Sequence, residues 1–142
     1  VEQAPLDELV SRSDFVSLHL PLTTETRNLL DTEKLALMKP GAFLINTSRG
    51  GLINHAALAK SLAEGRLAGA ALDVQDPEPP DLSQPPYSDP RVLITPHAAF
   101  LSEESLRELR TRATQQVATR LSGGQPDNIV NLDAPLIHSL FQ

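Results

Sequence analysis

Four side chains in this sequence can do chemistry on a small acid, and each sits at or just after a short apolar run: Arg49 after AFLIN, Asp73 and Glu78 at and after AGAALDV, and His97 after VLIT. An arginine fork holds a carboxylate bidentately and polarises a neighbouring carbonyl, as a fixed positive charge that never deprotonates. Histidine exchanges a proton near neutral pH, and a carboxylate against its far nitrogen fixes the tautomer and favours the imidazolium. Together they suit an α-keto or α-hydroxy acid.

Each of these residues also has a plainer reading. Arg49 lies in a polar turn before a helix and Glu78 in a proline-rich loop, places where charges are ordinarily solvated. His97 follows Pro96 and could satisfy backbone carbonyls, while Asp73 could simply cap the loop that follows. His19, beside Pro21, reads as structural before chemical, and His55 and His138 as incidental. Ser48 is not in a GxSxG elbow, which argues against a serine hydrolase. The four histidines are dispersed without an HExxH pair, which argues against a metal site.

The elements that must position these groups follow from punctuation and periodicity. Apolar strand-like runs occupy 15 to 20, 42 to 46, 68 to 74 and 92 to 95, with Pro21 and Pro96 stopping the first and last. Helices are expected over LDELVSRS after Pro5, over EKLALM capped by Asp31 or Thr32 and ended by Pro40 and Gly41, and over HAALAKSLAE capped by Asn54 with Gly65 beyond it. A last helix from about Ser102 to Leu121 carries Leu106, Leu109, Ala113, Val117 and Leu121 as a stripe expected to be buried, with Glu108 and Arg112 paired four residues apart. The segment 75 to 90, QDPEPPDLSQPPYSDP, reads as a stiff extended loop. Apolar strands alternating with helices predict a parallel sheet covered on both faces, the doubly wound α/β class. Ligands of such sheets bind outside the carboxyl ends of the strands, where the four reactive side chains fall.

Composition narrows the function further. The chain has 142 residues, 40% hydrophobic and 21% charged, with a net charge of -6, as expected for one acidic globular domain. Without cysteine there is no thiolate chemistry, and a reducing, cytoplasmic setting is the default expectation. Eighteen acidic against twelve basic residues disfavour nucleic acid as a partner, no apolar run approaches the roughly 20 residues of a membrane helix, and a small molecule is left as the expected ligand. Because the chain opens on Val1, it is also expected to be a piece of a longer protein or a processed product.

NTSRG at 46 to 50, LDVQDPEP at 72 to 79 and ITPHAAF at 94 to 100 occur in that order, with SDFVSLHLPLTTETRNLL at 13 to 30 and LMKPGAFLINTSRGGLIN at 37 to 54. This ordered set resembles the D-isomer-specific 2-hydroxyacid dehydrogenase family. The resemblance implies the second half of a Rossmann NAD-binding domain over 1 to 125, and a tail over 126 to 142 leading toward a substrate domain. It implies hydride transfer between NAD (NADP not excluded) and a 2-keto or D-2-hydroxy acid. It also implies that Arg49 binds the substrate carboxylate, that His97 is the acid/base and that Glu78 supports it. Asp73 would contact the nicotinamide end, and His19, Pro21, Thr47 and Ser48 would line the dinucleotide beside Arg49 and His97. A homodimer is implied for the full-length protein.

The sequence departs from the family in having no GxGxxG among its seven glycines, so weak or no NAD binding is expected of this chain alone, and the strand at 15 to 20 is expected at an exposed apolar edge. An inactive remnant is one alternative to an enzyme. The run ITPHAAF followed by SEES also resembles the branch with C-terminal-binding-protein-like corepressors, which implies an aromatic pocket position for Phe100 and offers a binding or scaffold role as another alternative. PPDLS at 79 to 83 matches the pattern such corepressors recognise, and coincidence is the preferred explanation.

Overall fold

The computed structural model describes residues 2–130. The chain divides into two compact units, one running to Ala99 and the other starting at Phe100. The first unit contains α1 (Leu6–Arg12), β1 (Phe15–Leu18), α2 (Thr32–Leu37), β2 (Phe43–Asn46), a short 3-10 turn (Gly50–Leu52), α3 (His55–Ala63), β3 (Gly69–Leu72) and β4 (Val92–Ile94). The strands form one parallel sheet in the order β1-β2-β3-β4, so every carboxyl end opens on the same rim. This is the parallel Rossmann-like α/β arrangement the alternation predicts, except that the expected cover on both faces is found within this unit on one face only.

Local sequence explains the boundaries. Asp31 starts α2 by accepting from the Lys34 N–H at 2.9 Å, and Asn54 starts α3 by accepting from Ala57 at 3.0 Å. Gly65, with φ +68°, takes the left-handed position just past α3. Regular pairing stops at Leu18, Leu72 and Ile94, short of the ends of three of the apolar runs that predict it, and at Asn46, the end of the other. The residues beyond those points turn away from the ladder and build the rim.

The core lies on one face of this sheet. Val16, Leu18, Leu44, Ala70 and Leu72 point into it and meet Val10 of α1, Leu35 of α2 and Leu58 and Leu62 of α3. The alternate residues point the other way: Phe15 is 66% and Leu93 65% exposed, and Phe15 stacks on Phe43 with ring centres 5.3 Å apart. β1 is at the sheet edge, as its sequence predicts, with this apolar ring pair beside it.

The second unit is built on α4 (Glu103–Leu121). Ser102 and Ser105 cap it reciprocally, each hydroxyl accepting the other's backbone N–H at 3.0 and 2.9 Å. Arg112 and Glu108 close the expected pair at 2.6 Å. The stripe expected to be buried is not: no residue of α4 is buried, and Leu109, Val117 and Leu121 are exposed. Helical spacing establishes which residues share a side of a helix, and says nothing of what covers that side. His138 and the end of the tail expected over 126 to 142 lie outside the described residues.

Candidate active site

Arg49 is placed by the turn after β2, and Asn46 folds that turn. Asn46 is fully buried; its amide Nδ2 donates to the Arg49 carbonyl at 2.8 Å and its Oδ1 accepts from the Ser48 N–H at 3.0 Å. The Ser48 hydroxyl reaches across to the Leu18 carbonyl at 2.7 Å, tying the ends of β1 and β2 together. Its oxygen is therefore engaged with backbone rather than poised as a nucleophile. The Arg49 side chain, exposed at the rim, donates to the Ser48 carbonyl at 2.7 Å. Gly50 is required next: a Cβ there would stand 2.0 Å from the Gln75 carbonyl oxygen, so this turn lies directly on the backbone that follows β3.

His97 sits in the turn after β4 with φ +53°, a left-handed conformation that costs a non-glycine residue about 1–3 kcal/mol. Asp73 holds that turn. Its Oδ1 accepts from the Thr95 hydroxyl at 2.5 Å and from the Ala98 N–H at 2.8 Å, and its Oδ2 accepts from the Ala99 N–H at 2.9 Å. Hydrogen bonds to a charged group contribute about 1.5–3 kcal/mol each, so these outweigh the strain at His97. Burial of Asp73 pushes its carboxyl pKa up, but Thr95, the Ala99 and Ala98 amides and the charge of His97 together hold it below the usual range.

Glu78 completes the arrangement. Its Oε2 is 3.0 Å from His97 Nδ1, and its Oε1 accepts from the Gln75 N–H at 2.8 Å. A carboxylate can only accept here, so Nδ1 carries the proton. The Gln75 amide foremost, then the hydrogen bond and charge of His97 and the charge of Arg49, hold the Glu78 carboxyl below its ordinary value despite some burial. Arg49, Glu78 and His97 thus come from the segments after three different strands, and Glu78 feels the charge of the other two. Gln75, itself buried, braces the group by donating from Nε2 to the carbonyls of Leu72 at 3.1 Å and Thr95 at 3.3 Å.

An open hollow of about 700 Å³ adjoins the pair, lined by His97, Glu78, Gln75, Pro96, Tyr87 and Leu82 among others, and not by Arg49. Around the rim, Thr47 and Pro21 are exposed and the His19 ring bonds the Ser17 hydroxyl at 2.8 Å. The Thr47 hydroxyl and the His19 imidazole are of a chemistry that fits an amide-bearing ring such as nicotinamide, whereas both Asp73 oxygens are already engaged by the 95–99 turn. Phe100 opens the second unit and is exposed. Among the described residues no group of three or more His, Cys, Asp or Glu could hold a metal ion, and no helix is long and apolar enough to cross a membrane.

Several residues that build this site fall within the quoted motifs, yet the sequence reading gives them no role of their own. Gln75 and Thr95 act through contacts set by the sheet, and Asn46 looks like an ordinary strand end. His55, read as incidental, is half-buried and bonded at both ring nitrogens.

A parallel α/β sheet that gathers an imidazole, its carboxylate and a guanidinium on its carboxyl rim is of the Rossmann-like class, whose ligands bind outside the carboxyl ends of the strands. Residues 1–99 match the family described as D-isomer specific 2-hydroxyacid dehydrogenase, NAD binding domain, and the chain belongs to that family. It is 46% identical over 137 residues to a glyoxylate reductase of Korarchaeum cryptofilum, covering 92% of this chain and 40% of the relative. Among solved structures, the TT0316 protein of Thermus thermophilus superposes with a TM-score of 0.83 at 42% identity, over 89% of this chain and 40% of that one. The NAD-complexed form of a D-isomer specific 2-hydroxyacid dehydrogenase from Lactobacillus delbrueckii ssp. bulgaricus gives a TM-score of 0.77 at 36% identity, over 89% of this chain and 43% of that one. The chain therefore spans about 40% of the length of these relatives.

Proposed function

We propose that this domain serves an NAD-dependent dehydrogenase that interconverts small 2-keto acids and D-2-hydroxy acids. The observation that carries the reading is the His97 to Glu78 contact at 3.0 Å, with the second Glu78 oxygen anchored on the Gln75 amide. In the reductive direction the Arg49 guanidinium takes the substrate carboxylate and draws electron density from the adjacent carbonyl. His97, charged and held by Glu78 at Nδ1, delivers the Nε2 proton to the carbonyl oxygen; in oxidation it takes the hydroxyl proton back. Glu78 stays ionised throughout, which stabilises the imidazolium and fixes the ring.

Bound NAD supplies the hydride chemistry at the substrate carbon. Asp73 is the residue of this chain assigned to its nicotinamide end, and His19, Pro21, Thr47 and Ser48, beside Arg49 and His97, are assigned to lining the dinucleotide. With both Asp73 oxygens already accepting from Thr95, Ala98 and Ala99, that residue acts first as the brace of the His97 turn.

The test is turnover of glyoxylate by the full-length protein carrying this domain. Arg49→Ala and His97→Asn are each expected to abolish turnover while NAD binding by calorimetry stays nearly intact. Unchanged turnover in either variant removes that residue from the mechanism.

A further inference from the structure

His55 and Tyr87 lie outside the catalytic group, yet they join the two segments that carry Arg49 and Glu78. The His55 Nε2 is 3.1 Å from the Gly50 carbonyl oxygen, and a carbonyl only accepts, so Nε2 bears the proton. Nδ1 of that ring is then an acceptor, and the Tyr87 hydroxyl donates to it at 2.7 Å. The same phenolic oxygen lies 3.4 Å from both the Asp76 amide nitrogen and the Asp76 carbonyl oxygen. Tyr87 thereby brings the far end of the proline-rich loop back to its beginning, eleven residues earlier, and Glu78 lies on the arc so closed.

The attachment is reinforced at the near end. Gly50 rests on the Gln75 backbone, and Asp76 pairs with Arg27 at 3.2 Å. Without the Tyr87 hydroxyl the arc keeps its start and the packing of the Tyr87 ring against the core, but loses the polar tie that closes it, and the fit of the Glu78 carboxylate to His97 loosens.

We propose that His55 and Tyr87 are positioning residues, a two-ring strut that sets the Glu78 loop against the Arg49 turn. This rests on the dehydrogenase reading for its consequence in turnover, and on geometry alone for its consequence at Glu78. Neither residue touches substrate; both act through Glu78.

The experiment takes the full-length protein and three variants, Tyr87→Phe, His55→Leu and His55→Gln, of which the last keeps one donor and one acceptor on its side-chain amide. Each is checked by circular dichroism and urea midpoint. Carbon-detected NMR then follows the Glu78 carboxyl titration, and steady-state kinetics with glyoxylate follows kcat and KM separately. Tyr87→Phe and His55→Leu are expected to move the Glu78 titration upward toward that of an ordinary glutamate and to lower kcat about tenfold with the KM for NAD unchanged. His55→Gln is expected to restore most of both. An unmoved Glu78 titration in folded Tyr87→Phe and His55→Leu overturns the strut. Absence of turnover in the parent protein overturns the dehydrogenase reading instead, and leaves the titration to decide the strut.

Discussion

Asp73 shows how much of this site is held by one buried side chain. It accepts a hydroxyl and two amides from the 95–99 turn, and His97 stays in its left-handed conformation because those three bonds outweigh the strain. Asp73→Asn puts an NH2 group against one of these donors. It is expected to lower unfolding stability by about 2 kcal/mol in urea titrations. The same residue makes stability depend on pH. Asp73 and Glu78 both titrate below the ordinary carboxylate range, so their contribution is complete above an ordinary carboxyl pKa of about 4 and is lost as pH falls through their depressed folded values. The urea midpoint of the parent is expected to drop on acidification from pH 5 to pH 3, and Asp73→Asn to drop less; equal declines would exclude Asp73 as a source. At this scale the reactive trio is legible in the sequence, because arginine, glutamate and histidine after apolar runs stand out from their surroundings. Asn46, Gln75, Thr95 and Tyr87 are not, since their importance arises from hydrogen bonds to groups that only the fold brings near.

The elements were the most readable layer. Caps at Asp31, Asn54 and Ser102, the left-handed Gly65 and the four apolar runs all correspond to observed starts, stops and strands. Asn54→Ala is expected to cost about 1 kcal/mol, the usual consequence of leaving a first-turn amide unpaired, measurable as a shift in urea midpoint. Gly50→Ala is a harsher change. A methyl 2.0 Å from the Gln75 oxygen forces apart the backbone of two crossovers, and a loss above about 3 kcal/mol, or failure to fold, is expected. The exposure of the α4 stripe has a physical reason. Periodicity reports a shared side, whereas burial depends on a neighbour that a sequence pattern does not contain.

The whole first unit is one-sided. Helices α1 to α3 supply the core on one face of the sheet, and Phe15, Phe43 and Leu93 stand exposed on the other. Exposed apolar surface beside an edge strand promotes self-association. For the 142-residue chain, Phe15→Ser is expected to slow aggregation followed by light scattering while the urea midpoint moves by no more than about 1 kcal/mol equivalent, the scale of an aromatic pair.

The loop that carries Glu78 has a further consequence at this scale. Tyr87 fastens one end and Gln75 with Asp76 the other, which leaves the outer stretch, Pro80 to Pro86, suspended between two fixed posts. Extra residues spliced into that stretch lengthen an already closed span, and doubling such a span costs only about 0.6 kcal/mol of chain entropy. The wall of the hollow beside His97 can therefore be rebuilt with new sequence, while the spacing from Asp73 to Glu78 must stay as it is.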